Sequence, residues 1–227
     1  MLHVPILEYH RIVPAAQAGN SVAALTTDPQ LFDEQMAALS QAGWHAITLA
    51  ALADDLTANL TPPSHTFVVT IDDGWSDSYQ YASTILGKYG YVATYFVIAA
   101  RIGQPQFMTP EEIRILASLG NDIGDHTADH ISLTAVQPKT LTYEVDAGAA
   151  TIAAITGRWP ETFAYPRGKA DSRVLAAVAA CASLKLAVVE GAGARETWDG
   201  RFHISRIEVG SWRLPAVLLG QVERAGR

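Results

Sequence analysis

The chain has 227 residues, 49% of them apolar and only 17% charged, against roughly 25% charged in ordinary globular chains. That balance excludes disorder and calls for a large buried core; since a single α/β barrel uses about 200–250 residues, one domain over residues 1–227 is expected. With 16 Lys and Arg against 23 Asp and Glu the net charge is -7, the wrong sign for tracking a phosphate backbone, so nucleic acid is not an expected partner.

Residues 4–7 form the first apolar run. Asp28 and Pro29 then read as a cap and first-turn pair, followed by Phe32, Met36 and Leu39 at helical spacing, with Gly43 closing the segment. Apolar runs at 67–71 and 92–98 follow. Thr109, Pro110, Glu111 and Glu112 spell a capping box ahead of a helix that stops at Gly120. After the run at 122–124, Leu141, Val145, Gly148, Ile152 and Ile155 recur at helical period between Pro138 and Gly157. Runs at 162–165, 186–189 and 204–209 complete the series. Several are nearly continuous rather than alternating, as strands buried on both faces are. About seven alternations of strand and helix predict a parallel sheet with helices outside, closed into a barrel or doubly wound. In both, chemistry sits at the C-terminal ends of the strands.

Four segments after such strand ends carry reactive side chains. Thr70-Ile71-Asp72-Asp73-Gly74 puts two carboxylates after a buried strand, where they are either turn residues or a base beside a metal ligand. Asp125-His126-Thr127-Ala128-Asp129-His130 places two imidazoles four apart, and on a helix both rings would share one face. Glu8-Tyr9-His10 follows the first run, and Phe163-Ala164-Tyr165-Pro166-Arg167-Gly168 offers a Pro-Gly turn. The lone cysteine, Cys181, excludes a cysteine-rich zinc site and an intrachain disulfide, so any metal must be held by His and carboxylates. Asp73, His126 and His130 would supply three ligands and leave a fourth position open, the pattern of a catalytic zinc. His3, His45 and His65 have no motif partner and read as structural or surface residues, and His203 is unassigned. No stretch approaches 18 apolar residues, so no transmembrane segment is expected. Met1 leads directly into an apolar segment with no basic leader or cleavage-like site, and no signal peptide is visible.

The order TIDDG, HTADH about fifty residues on, and AYPRG near residue 166 resembles the polysaccharide deacetylases of carbohydrate esterase family 4, over nearly the whole chain. The resemblance implies a distorted (β/α)7 barrel and removal of N-acetyl groups from an amino-sugar polymer or oligomer, so a carbohydrate is the expected substrate. It implies Asp72 as general base and Asp73, His126 and His130 as ligands of a divalent metal, usually zinc, with cobalt or nickel also accepted by such a set. The backbone N–H of Arg167 would face the oxyanion, and Tyr165 and Trp75 are candidate sugar-stacking or packing aromatics. Many members carry the acid histidine in a C-terminal Leu-x-His; here Ser211-Trp212-Arg213-Leu214 continues without one. The Tyr9-His10 pair resembles a subgroup whose acid comes from the first strand, which points to His10. Members with Arg-x-Pro-x-Gly pair that Arg with the base, but Ala164 stands at its place, leaving Arg206 as the candidate to orient Asp72 or else a surface salt bridge. Relatives that cleave other linear amides, and non-catalytic carbohydrate binders, are the alternatives. Members are often extracytoplasmic. Nothing in these motifs bears on oligomeric state.

Overall fold

The computed structural model describes residues 4–19, 25–191 and 200–226. It opens with β1 (Ile6–Tyr9), followed by a small separate parallel pair, β2 (Arg11–Ile12) and β3 (Thr26–Thr27). Helix α1 (Pro29–Gln41) starts where the Asp28 side chain accepts from the Gln30 backbone N–H, satisfying one of the unpaired donors of a helix start. After β4 (His45–Ile47) and α2 (Leu49–Thr57) comes β5 (Thr66–Ile71), buried along its whole length. The chain continues through α3 (Ser83–Lys88), β6 (Thr94–Val97), α4 (Pro110–Ser118) and β7 (Asp122–Asp125). The capping box read from the sequence is formed at Thr109 and Glu112. Next are α5 (Pro138–Thr156), ended by Gly157 at φ 75°, then β8 (Thr162–Ala164), α6 (Ser172–Ala180) and β9 (Leu186–Val189). The last elements are β10 (Ile204–Ser205), β11 (Ile207–Glu208) and α7 (Pro215–Ala225).

The sheet is parallel throughout and closes on itself. β5, β6, β7, β8 and β9 lie side by side, β1 pairs with β5, and the expected strand at 204–209 is split at Arg206. Its first half pairs with β9 and its second with β1, so one extended segment seals the ring by changing neighbour at a single residue. The fold is the distorted (β/α)7 barrel, and the doubly wound alternative is excluded. Part of the distortion is β4, which pairs with the first half of β5 while β6 pairs with the last two residues of β5. Strands β2, β3 and β4 were not read from the sequence, because two or three residues are too few to show a period.

Strand side chains alternate in and out with period two, and the packing clusters separate the two faces. Ile6, Val68, Phe96, Ala164, Leu186, Val188 and Ile204 share the barrel interior. Leu7, Tyr9, Val69, Ile71, Tyr95 and Val97 face outward into the layer under α1, α4 and α7. Phe163, Tyr165, Ala187 and Val189 pack outward with residues of α5 and α6. Continued past the strand ends, the inward columns read Ile6-Glu8-His10, Val68-Thr70-Asp72, Gly124-His126, Val188-Glu190 and Ile204-Arg206. An apolar plug thus fills the barrel and a polar layer caps it at the C-terminal mouth.

Phe96 sits at the junction of plug and polar layer, fully buried, with the Arg206 guanidinium 5.8 Å from its ring centroid. Truncation to Ala would leave a cavity beneath the charged layer. Phe96→Ala is expected to lower the free energy of unfolding by about 3–5 kcal/mol, read from urea midpoints with an unchanged m-value.

Candidate active site

The site is assembled where the inward columns reach the rim. β5 ends at Ile71 and the chain turns through Asp72, Asp73 and Gly74. Asp73 and Gly74 are successive left-handed residues, at φ 73° and 77°, and a Cβ on Gly74 would crowd Val97. The turn sends Asp72 into the barrel mouth and Asp73 across toward β7. Asp73 Oδ1 lies 3.7 Å from Nε2 of both His126 and His130, and the two imidazole centroids are 4.6 Å apart.

The two histidines do not ride on a helix. Residues 126–130 form a loop in which Thr127 and His130 have φ 70° and 58°, and hydrogen bonds rather than helical spacing bring the rings together. The Thr127 N–H donates to Asp125 Oδ1, the His130 N–H to Thr127 Oγ1 and the Asp129 N–H to Glu144 Oε2. Left-handed conformations of non-glycine residues are strained. Four of the seven found among the described residues, Asp73, Thr127, His130 and Arg167, lie in the loops that carry these motifs.

His126 Nδ1 lies 2.8 Å from the Ala164 carbonyl. A carbonyl only accepts, so Nδ1 carries the proton and Nε2 presents a lone pair, the tautomer a metal ligand requires. Burial and the neighbouring His126 push His130 down to about 4, against the pull of Asp73 and Asp72, which keeps it neutral. Converging carboxylate and imidazole lone pairs, with spacing and tautomer in place, fit a small divalent cation. The Trp75 indole N–H donates to Asp73 Oδ2 at 3.1 Å, leaving Oδ1 toward the histidines.

Asp72 is 2% exposed. Burial alone would raise its pKa, but the Arg206 charge and hydrogen bonds, helped by His126 and His10, hold it well below the usual carboxylate range. The geometry is bidentate: Nη1 donates to Oδ1 and Nη2 to Oδ2, both at 2.8 Å. Arg206 also donates to Thr70 Oγ1 and Glu8 Oε1, each at 3.0 Å. The surface salt bridge considered for Arg206 is excluded, since the residue is 1% exposed. Glu8 shares the same guanidinium, yet burial pushes it up to about 8 against the pull of Arg206, with Asp72, Glu190 and Glu208 adding to the rise. Of two carboxylates on one cation, Asp72 stays ionised and Glu8 takes the proton.

His10 stands on the same rim, with Nε2 3.9 Å from Glu8 Oε1. With Arg11, Asp73, Trp75 and Gln106 it lines a cavity of about 440 Å³. A larger cleft of about 580 Å³ opens where β7 and β8 begin, lined by Asp54, Arg114, Trp159 and Glu161, and contains none of the motif residues. Arg167 is exposed, at φ 60° in the turn after β8. Tyr165 is a correction to the stacking expectation: it faces outward, is 1% exposed, and its hydroxyl donates to the Phe202 carbonyl. Trp75 lines the cavity, but its ring stacks on Phe107 at 4.5 Å and lies under the Arg11 guanidinium, so its faces serve packing. His45 and His203 are exposed, His65 packs on Trp44, and His3 lies outside the described residues.

The polysaccharide deacetylase pattern matches residues 59–184, more than half of the chain, a span that includes residues 72–73 and 126–130. The chain belongs to the polysaccharide deacetylase family. YxkH of Bacillus subtilis (strain 168), whose name places it in the same family, is 29% identical over 206 residues, 91% of this chain and 71% of YxkH. Among solved structures, the deacetylase PplD of Streptococcus pyogenes, in complex with acetate, superposes with a TM-score of 0.88 at 26% identity, over 96% of this chain and 97% of PplD. IcaB of Ammonifex degensii shares the fold, with a TM-score of 0.82 at 21% identity over 100% and 98% of the two chains. Motif reading gave no part to two acidic residues that stand on the same rim, Glu8, bonded to Arg206, and Glu190, exposed beside it outside the Asp72, Asp73, His126 and His130 set. Their signal is the two-residue period itself: Glu8 lies between Ile6 and His10, and Glu190 two after Val188.

The buried Glu8 makes stability depend on pH. A carboxyl raised in the folded state contributes fully below its unfolded value near 4.5, and that contribution is lost as pH climbs to about 8. Asp72, lowered by Arg206, works in the opposite sense and loses its contribution only in stronger acid. His130, lowered to about 4, opposes Glu8 below the unfolded histidine value near 6.5, so the melting temperature of the metal-free protein is expected to fall between about pH 6.5 and pH 8, and Glu8→Gln to flatten that slope, as checked by circular dichroism melts across the range.

Proposed function

We propose that this chain removes N-acetyl groups from an amino-sugar polymer or oligomer, of poly-N-acetylglucosamine, chitooligosaccharide or peptidoglycan type, releasing acetate. The observation that carries the reading is the adjacency of Asp72, held ionised by both arms of Arg206, to the convergent lone pairs of Asp73, His126 and His130. The family and the likeness to PplD, a deacetylase solved with acetate, support it. Asp73, His126 and His130 would hold a divalent metal, zinc first with cobalt or nickel as substitutes, which supplies Lewis acidity toward an amide carbonyl and water.

Asp72 accepts the proton of the attacking water. Because Arg206 fixes both carboxylate oxygens, the base loses little freedom in reaching the reactive geometry. As water oxygen bonds to the carbonyl carbon, negative charge gathers on the carbonyl oxygen, and the backbone N–H of Arg167 is assigned to meet it. Breaking the C–N bond expels an amine, a poor leaving group unless protonated, and His10 is assigned to deliver that proton to nitrogen. Acetate and a free amino sugar result, with the water hydrogens and oxygen shared between them.

Acetate release from acetylated glucosamine polymers and oligomers, set against a panel of small amides, tests the reading. Stripping the metal with a chelator is expected to abolish release and added zinc to restore it. Asp72→Asn is expected to lower kcat by about 10²–10⁴-fold. His10→Ala is expected to cost the most on amides and the least on aryl acetates, whose leaving groups depart without a proton. Equal losses on both would remove His10 from the acid role, and activity confined to the small amides would remove the carbohydrate from the substrate role.

A further inference from the structure

A second set of metal-ligating atoms meets on the same rim. Glu8, His10 and Glu190 each bring one ligand atom to within 4.8 Å of the others. Two inward columns deliver them, Glu8 and His10 from β1 and Glu190 from the end of β9, on either side of the closing strand that carries Arg206. His10 Nε2 and Glu8 Oε1 are 3.9 Å apart, near the 3.7 Å between Asp73 Oδ1 and each histidine of the first triad. Ligand atoms on one tetrahedral ion with bonds of about 2.0–2.1 Å would stand roughly 3.3–3.4 Å apart.

This cluster differs from a chance gathering of acids. Glu8 is fully buried, and its Oε2 has no hydrogen-bond partner among the described residues, a costly state for a carboxylate oxygen unless a cation or proton meets it. Gly168 makes room for Glu190: a Cβ on that glycine would overlap the Glu190 side chain. Asp72 and Glu8 both bond Arg206, and Glu190 acts on the same groups. Three carboxyl groups share one guanidinium, so a cation entering here would take the place of the proton on Glu8.

We propose that Glu8, His10 and Glu190 form a second, inhibitory site for a divalent transition metal such as zinc. Two carboxylates and one imidazole suit that class of ion. Its affinity is expected to be lower than that of the first triad, because Arg206 Nη2 sits 3.0 Å from Glu8 Oε1. Once the site fills, the His10 Nε2 lone pair is engaged and can no longer carry a proton to the leaving amine. The inhibition rests on the acid role given to His10 above; the second equivalent of metal does not.

The test is equilibrium dialysis of the metal-free chain against rising zinc, with bound metal counted by elemental analysis and acetate release followed in the same samples. Two equivalents are expected, activity rising through the first step and falling through the second. Glu190→Gln changes an exposed residue outside the catalytic set. It is expected to keep the first step and the activity, and to move both the second step and the inhibition to about tenfold higher zinc or more. Asp73→Asn is expected to lose the first step and keep the second. Saturation of the wild type at one equivalent, or a second step unmoved by Glu190→Gln, would overturn the proposal. A second step that moves with Glu190→Gln, in a protein releasing no acetate, upholds the site and counts against the deacetylase reading instead.

Discussion

Arg206 brings a guanidinium into the barrel mouth with 1% of its side chain exposed. Desolvating such a charge costs several kcal/mol even after relaxation, so the mouth is built around compensating it. Asp72 meets it with both oxygens, Glu8 and Thr70 take one bond each, and Phe96 lies beneath. The same residue is the point where the last strand leaves β9 and joins β1. Closure of the ring and ionisation of Asp72 therefore meet at one residue. A buried pair of this kind need not be more stable than a well-packed apolar substitute. What it supplies is a carboxylate with one orientation and one protonation state.

Around that centre, parity of side-chain direction decides which residues take part. Successive strand residues point to opposite faces, so an inward residue in a strand fixes its second neighbour as inward too. Asp72 follows Val68 and Thr70 into the mouth, His126 follows Gly124, and His10 follows Ile6 and Glu8. Tyr165 has the opposite parity and ends in the layer under α5 and α6 with Phe163, although it sits in the same short motif as the turn beside the site. Asp73 and His130 escape parity only because the chain leaves extended geometry at left-handed residues. Strain at these positions is the cost of bringing one carboxylate and two imidazoles from two loops to one point.

Most of the fold was legible because the strands are buried on both faces and read as apolar runs, and because helix ends carry chemical signals at Asp28, Thr109 and Gly157. β4 was not legible, being three residues held by pairing with β5 rather than by its own pattern. At the site, the Asp-Asp and His-x-x-x-His motifs were visible as spacing, but the helix imagined for the histidines was not there. Spacing of four residues is as compatible with a loop stitched by Asp125, Thr127 and Glu144 as with one helical face. Neighbour identity, which a single sequence does not display, separates the two.

The guanidinium illustrates the same limit from the other side. Family members with Arg-x-Pro-x-Gly carry it at the position of Ala164, on β8; here it comes from the closing strand, at the Arg206 that the sequence offered as candidate. Ala164 is buried in the barrel interior, and its carbonyl accepts the His126 Nδ1 proton, so small size there leaves the interior open to a long side chain from across the ring. The Asp72 carboxylate receives two parallel N–H donors, and the mouth of a closed barrel can supply them from more than one strand. A motif reading tied to one position registers the Ala as a loss. The geometry shows the same interaction carried by a residue 42 positions later in the chain, the difference between 206 and 164. In a closed barrel, sequence distance around the ring places little limit on which residues can converge at the centre.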